Sequence, residues 1–316
     1  MHSGNRVSRI LNTDYPIIQG GMAWASDPIL AAAVSNAGGM GMLASGSMSA
    51  KDLSLEIEKT RTLTERVFGV NVMMLSPYLD EIVDLLVQDK VHLVTLGAGN
   101  PGKVIDKLKS AGILVAPVIA SVAMARRAES VGADMVIAEG MEAGGHIGRI
   151  TTMALIPQVA DVIQIPVVAA GGIADARGMA AAFCLGAEGV QMGTRFVCSV
   201  ECQVHNNYKE RLLRASELDA IIAGVGSGHP IRCLRNSLTR KIEAMEKRGA
   251  EFEEIERIAV GGLRRAVKEG DVDNGSVMAG QICGLLREIV PVETIIRSMM
   301  EELTHIFLDH SGESIS

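Results

Sequence analysis

The 316-residue sequence has no CxxC pair, no run of five or more basic residues and no apolar stretch long enough for a bilayer. Each absence excludes something. Five cysteines, an odd number without a pairing pattern, argue for reduced thiols and a cytoplasmic setting over a disulfide framework. A formal net charge of -7, with no basic run, argues against a nucleic-acid partner. The longest apolar run, 113–125, is interrupted by Pro117 and Ser121. A spanning helix needs about 20 apolar residues, so no membrane partner is expected. The first residues, MHSGNRVSRILNTDYP, lack the apolar core of a signal peptide. The expectation is a soluble, cytoplasmic protein.

What is present is apolar and periodic. Hydrophobic residues make up 48% of the chain, enough for a large core. Short apolar runs recur at 16–19 (PIIQ), 41–44 (GMLA), 67–72 (VFGVNV), 91–96 (VHLVTL), 113–118 (ILVAPV), 135–138 (MVIA), 166–169 (PVVA) and 188–192 (EGVQM). Continuous runs of this length suit strands buried on both faces, as in a parallel sheet. Helical segments lie between them, for example 52–62, 101–110, 123–131 and 174–185. Gly38, Gly112, Gly132 and Gly186 fall where those helices should close before the next strand. Eight such units predict an α/β fold, a (β/α)8 TIM barrel, with an open doubly wound sheet as the alternative.

After about residue 200 the pattern changes. Segments 208–215, 238–248, 251–259, 263–268 and 292–306 read as helices without strong strands between them. The expected division is a cofactor-binding barrel over 1–205 and a smaller helical lid domain over 206–285. A C-terminal helix over 286–316 would return to the barrel and end in a frayed tail from 309.

LGAGNPG (96–102) matches the GxGxxG spacing of a dinucleotide turn. It lies in the fourth unit, however, and no acidic residue follows at the distance a ribose ligand requires. Asn100 as a helix cap with Pro101 in the first turn explains it better. In a barrel, sites form at the C-terminal ends of the strands. Reading off those ends gives Gly21, Met22 and Ala23, then Ser45, Asn71, Gly97 and Glu139, with Gly144 and Gly145 in the loop beyond it. His146, Gly171, Gly172, Gln191, Gly193 and Thr194 complete the set. Loops seven and eight of such barrels commonly bind phosphate, and Gly171–Gly172 and Gly193–Thr194 suit that task. One phosphate site with amide-bearing strand ends elsewhere fits FMN. Cys198, Cys202 and His205 lack the spacing and a fourth ligand for zinc, and no metal is expected.

The stretch EGMEAGGHIG (139–148) sets one histidine, His146, among glycines, on what reads as a bare, flexible loop. Together with QGGMAW (19–24), FGVNVMMLSP (68–77), TLGAGNP (95–101), AAGGIAD (169–175) and VQMGTRF (190–196) it resembles the nitronate monooxygenase superfamily. The pattern is closest to its bacterial FMN-dependent enoyl-acyl-carrier-protein reductase II branch. GHPIRCLRN (228–236) and GDVDNGSVMAGQ (270–281) extend the resemblance towards residue 285. It implies FMN at the barrel mouth under a helical domain, with His146 as the catalytic histidine above the flavin. It also implies NADH or NADPH as cosubstrate and an enoyl thioester on acyl carrier protein as substrate. A nitronate monooxygenase on the same scaffold, and a flavin-binding protein without turnover, are the alternatives. Chain length, cation dependence and oligomeric state, a homodimer included, stay open.

Overall fold

The computed structural model describes residues 5–46, 48–225 and 230–311. Its strands are β1 (Ile17–Gln19), β2 (Gly41–Ala44), β3 (Phe68–Met73), β4 (Leu93–Gly97), β5 (Leu114–Ile119), β6 (Val136–Glu139), β7 (Gly145–His146), β8 (Val167–Ala170), β9 (Gly189–Met192), β10 (Ala220–Ala223) and β11 (Ile231–Leu234). Eight of them form one sheet in the order β1-β9-β8-β6-β5-β4-β3-β2. Every pairing in it is parallel. A parallel bridge from Ile18 to Met40 joins the two ends. There the Gln19 N–H donates to the Met40 carbonyl at 2.9 Å and the Met40 N–H to that of Ile17 at 2.8 Å. The sheet is therefore a TIM barrel, and the open-sheet alternative falls.

Strand alternation sorts the core into two layers. Ile18, Met40, Met42, Leu93, Ala116, Met135, Ile137 and Val168 pack inside the barrel, joined by Val7 and Leu11 of helix Arg6–Leu11. Ile17, Leu43, Val70, Val94, Val115, Val136 and Val190 face outward to the helices. The helices start on sequence-coded caps. Asp27 accepts from the Leu30 N–H ahead of Pro28–Asn36, and Asp175 caps Ala176–Cys184. Gly112 and Gly186 hold φ of 79° and 100°, the left-handed turn that closes a helix. Asn100 accepts from the Gly102 N–H and caps the short 3-10 turn Pro101–Lys103.

The segment beyond the barrel is not purely helical, as the sequence suggested. β10 pairs antiparallel with β11, and β11 pairs antiparallel with β7. AIIA and IRCL fall outside the helix–glycine–strand repeat that marks the barrel strands, so neither stands out in the sequence. The helices Ser237–Lys247 and Phe252–Ala259 share a small core with this sheet, built on Ala223, Cys233, Leu238, Ile242 and Ile255. Helix Val292–Ser311 then packs against Ala176–Cys184 and Pro28–Asn36. Part of the glycine loop at 224–229 and the tail from 312 lie outside the described residues. Among the described residues no helix is long and apolar enough to cross a membrane.

Candidate active site

The turn after β1 is shaped by side chains buried beneath it. The Gln19 carboxamide donates to Ser26 Oγ at 2.7 Å and to the Met42 carbonyl at 3.0 Å, and accepts from the Met42 N–H at 3.1 Å. Ser26 Oγ accepts from the Met22 N–H at 2.8 Å. These bonds fix the Gly20–Ala25 turn so that Gly21 lies against Asn71. A Cβ on Gly21 would stand 2.2 Å from the Asn71 Cβ, so only glycine permits that approach. Asn71 in turn donates to Thr95 Oγ1 at 2.8 Å. Its carbonyl accepts from both the N–H (3.0 Å) and the hydroxyl (2.9 Å) of Ser45. Strands β1 to β4 thus meet at one rim, with Gly97 in register with Met73.

The opposite rim is built from β6, β8 and β9. Gly171 and Gly172 hold φ of 87° and 76°. A Cβ on Gly171 would lie 2.8 Å from the Gly140 carbonyl, and one on Gly193 would lie 3.3 Å from Met22 Sδ. Among the described residues, the backbone N–H groups of Gly171, Gly172, Ile173, Gly193 and Thr194 donate to no protein acceptor. The Thr194 hydroxyl is engaged, accepting from the Gly280 N–H at 2.9 Å. Gln191 is buried, and among the described residues its carboxamide makes no protein hydrogen bond. Glu139 ends β6 half-buried, with dense protein around its carboxyl. Burial without a compensating charge pushes that carboxyl up to about 7.

His146 does not sit on a bare loop. It lies in β7, opposite Ile231, and its side chain is exposed. Arg232, only 3% exposed, ties the loop that carries His146 to β10 by donating to the Met141 carbonyl (3.0 Å) and the Ala220 carbonyl (3.1 Å). Desolvation lowers the Arg232 pKa. Glu142 accepts from the Thr152 N–H at 2.9 Å, covering the start of helix Thr152–Ala160. The Gln281 N–H donates to the Glu142 carbonyl at 2.9 Å. A Cβ on Gly144 would meet the Ala279–Gly280 backbone at 2.8 Å, so that glycine serves the packing of 276–281 on the loop. Arg264 lies 6.0 Å from the Trp24 ring, a second tie between the later segment and the barrel rim.

Free N–H donors at two adjacent loops can hold a phosphate. A buried carboxamide and a carboxyl that titrates near neutrality can bond a heterocycle. Close glycine approaches leave backbone, not side chain, at the surface. The residues present therefore fit FMN. The Cys198, Cys202 and His205 group has another use. Both thiols are buried, with pKa values pushed up to about 12 and about 11, and His205 Nδ1 accepts from the Asn207 N–H at 3.1 Å.

A family model for nitronate monooxygenase matches residues 5–84 and 76–302. The chain belongs to the nitronate monooxygenase family. Among solved structures it is similar to FabK from Thermotoga maritima, with 51% identity, coverage of 98% of this chain and 99% of that one, and a TM-score of 0.95. It is also similar to a nitroalkane oxidase from Streptomyces ansochromogenes, at 30% identity over 96% and 99% of the two chains with a TM-score of 0.83. A Rhodococcus jostii relative, a hydroxy-methyl-oxo-octahydroindene-carboxyl-CoA dehydrogenase, is 39% identical over 75% of this chain and 67% of its own. The protein is an oxidoreductase of this FabK-like kind. Sequence reasoning did not single out Gln19, Thr95, Glu142, Thr152 or Arg232. Gln19, Thr95, Glu142 and Arg232 stand inside the QGGMAW, TLGAGNP, EGMEAGGHIG and GHPIRCLRN motifs, the one signal that could have found them.

Proposed function

We propose that this protein is an FMN-dependent enoyl thioester reductase that uses NADH or NADPH to saturate the 2,3-double bond of an acyl-carrier-protein-bound substrate. The observation that carries the reading is the full-length similarity to FabK. A relative named for a carboxyl-CoA substrate supports a thioester. FMN, when bound, supplies the hydride relay between nicotinamide and the substrate β-carbon. Gly171, Gly172, Ile173, Gly193 and Thr194 would hold its phosphate, with Gln191, Asn71 and Glu139 available to its ring. Gly21, Met22, Ala23, Ser45 and Gly97 would line the rim beside it, and Gly144 and Gly145 would carry the loop above.

His146 is the proton donor in this reading. Its imidazole can bond the thioester carbonyl oxygen and deliver a proton to the α-carbon. Its placement on β7 fixes it better than a loop would, because β11 and Arg232 hold the strand from outside the barrel. Residues 206–285 act as the cover that excludes water from the mouth. A second reading, nitronate oxidation with His146 removing an α-proton, is favoured by the nitroalkane oxidase similarity.

The test is direct. The purified protein should be yellow, release FMN and not FAD on denaturation, and oxidise NADH or NADPH when given crotonyl thioester. Colourless protein that ignores added FMN, or nucleotide oxidation that no enoyl thioester stimulates, would refute it.

A further inference from the structure

The end of β3 and the loop after it, Met73-Met74-Leu75-Ser76-Pro77-Tyr78, leave three large apolar side chains in the open. Met73 is 36% exposed, Leu75 68% and Tyr78 44%. Single exposed apolar residues need no explanation, but three within six residues at a barrel mouth do. The loop is fixed in place. The Met74 N–H donates to the Gly97 carbonyl at 2.9 Å and the Ser76 N–H to that of Met73 at 2.9 Å. A Cβ on Gly99 would lie 2.4 Å from the Met74 Cβ. Met74 is thereby clamped inward, and its neighbours are turned out.

Met73 is flanked by glycine on both sides. On one side Gly97 is its register partner, and a Cβ there would meet nothing within 4 Å. On the other, a Cβ on Gly46 would lie 3.6 Å from the Met73 Cβ and 3.7 Å from its Sδ. Two missing side chains beside an exposed methionine make an open trough with an apolar floor. The ring order gives the trough its position. In β1-β9-β8-β6-β5-β4-β3-β2, β3 and β4 lie four places from β8 and β9, directly across the mouth. The trough thus faces the N–H-rich loops from the far rim.

We propose that this trough holds the aliphatic chain of the substrate, and that Met73 and Leu75 set the chain-length preference. The inference rests on the thioester reductase reading, which puts the phosphate of the cofactor on the β8–β9 side. A chain lying along Met73 towards Leu75 and Tyr78 removes apolar surface from water. Each buried methylene then favours turnover roughly 4-fold until the trough is full.

The experiment measures kcat/KM for trans-2-enoyl-CoA thioesters of increasing chain length, from crotonyl upward. Wild type should gain with each methylene. The Met73→Ser/Leu75→Ser double variant should keep crotonyl activity within about 2-fold and lose at least about 10-fold on the longest chain. Gly46→Leu, whose Cβ makes only ordinary contacts, should leave the melting temperature unchanged and cut the longest chains selectively. Equal loss at all lengths in the double variant, or an unchanged length dependence in both, overturns the trough while leaving the reductase reading standing. A flavin-loaded wild type that reduces no enoyl thioester of any length overturns that reading and the trough with it.

Discussion

The two rims of the barrel mouth are built from opposite chemistry. The β8–β9 rim presents backbone donors and two glycines of positive φ, and it is tied to the later segment by Thr194 and Glu142. The β3–β4 rim presents methionine, leucine and tyrosine, and its contacts are to its own neighbouring loops. The first suits an anion and the second an aliphatic chain. His146 stands on the loop after β6, in a short strand whose partner, β11, comes from outside the barrel. A molecule with a phosphate at one end and a reaction partner bearing a hydrocarbon at the other matches that polarity. A small nitronate would use only the centre.

The comparison can be broken most severely at its centre. His146→Ala should leave reduction of bound flavin by NADH nearly intact and slow the enoyl step on the order of 10²-fold or more. Rapid-mixing of each half-reaction separates the two, and equal slowing of both would make His146 a structural residue. Next in size is Arg232→Met, which removes one charged hydrogen bond to the loop that carries His146 and one to β10. Part of that loss is offset by relieving a buried charge, so a net destabilisation of about 1–3 kcal/mol is expected in urea unfolding. No change would mean that β11 alone holds β7.

The polar rim is best probed at Gly193. A leucine there would meet the flexible end of Met22, which can move aside in the apo-protein. FMN affinity should fall on the order of tenfold, about one charge-assisted bond, with the apo melting temperature shifted by only about 2 °C. Loss of apo stability without loss of affinity would reduce this rim to tight turns. Gly171 is no equivalent probe, because its φ of 87° and the Gly140 carbonyl at 2.8 Å demand glycine with or without a ligand.

The smallest effect lies at Glu139. Folding raises its pKa from the ordinary 4.5 to about 7, so the native state holds a proton that the unfolded chain gives up. Stability on this account falls as pH climbs between those values and levels off above the higher one. Glu139→Gln removes the loss. The apo variant should be more stable than wild type at pH 8, read as a higher melting temperature. The gap should shrink at pH 5, and a constant gap would place its cause elsewhere.

All eight barrel strands were legible because each is a continuous apolar run between a helix and a turn, a local signal that needs no partner to be read. The strand ends then followed from the fold, and with them the candidate residues. The sheet of β7, β10 and β11 was not legible, since GH, AIIA and IRCL carry no periodicity and GH meets IRCL only across about 85 residues. His146 therefore looked loosely held. Gly144 read as a loop glycine and Thr194 as a strand-end group, whereas packing against Ala279 and Gly280 engages both. Glu142 and Arg232 were passed over for a similar reason. A charged residue outside any metal or nucleophile pattern announces no chemistry of its own, and its role here lies in hydrogen bonds to distant backbone.

The central claim is that electrons enter from a pyridine nucleotide and leave to an enoyl thioester. Anaerobic stopped-flow absorbance near the flavin band tests it in two mixes. The account predicts rapid bleaching by NADH or NADPH, then recovery of colour on adding crotonyl thioester, with no bleaching by alkyl nitronate alone. Bleaching by nitronate, with none by either nucleotide, would contradict the account and assign the protein to nitronate oxidation.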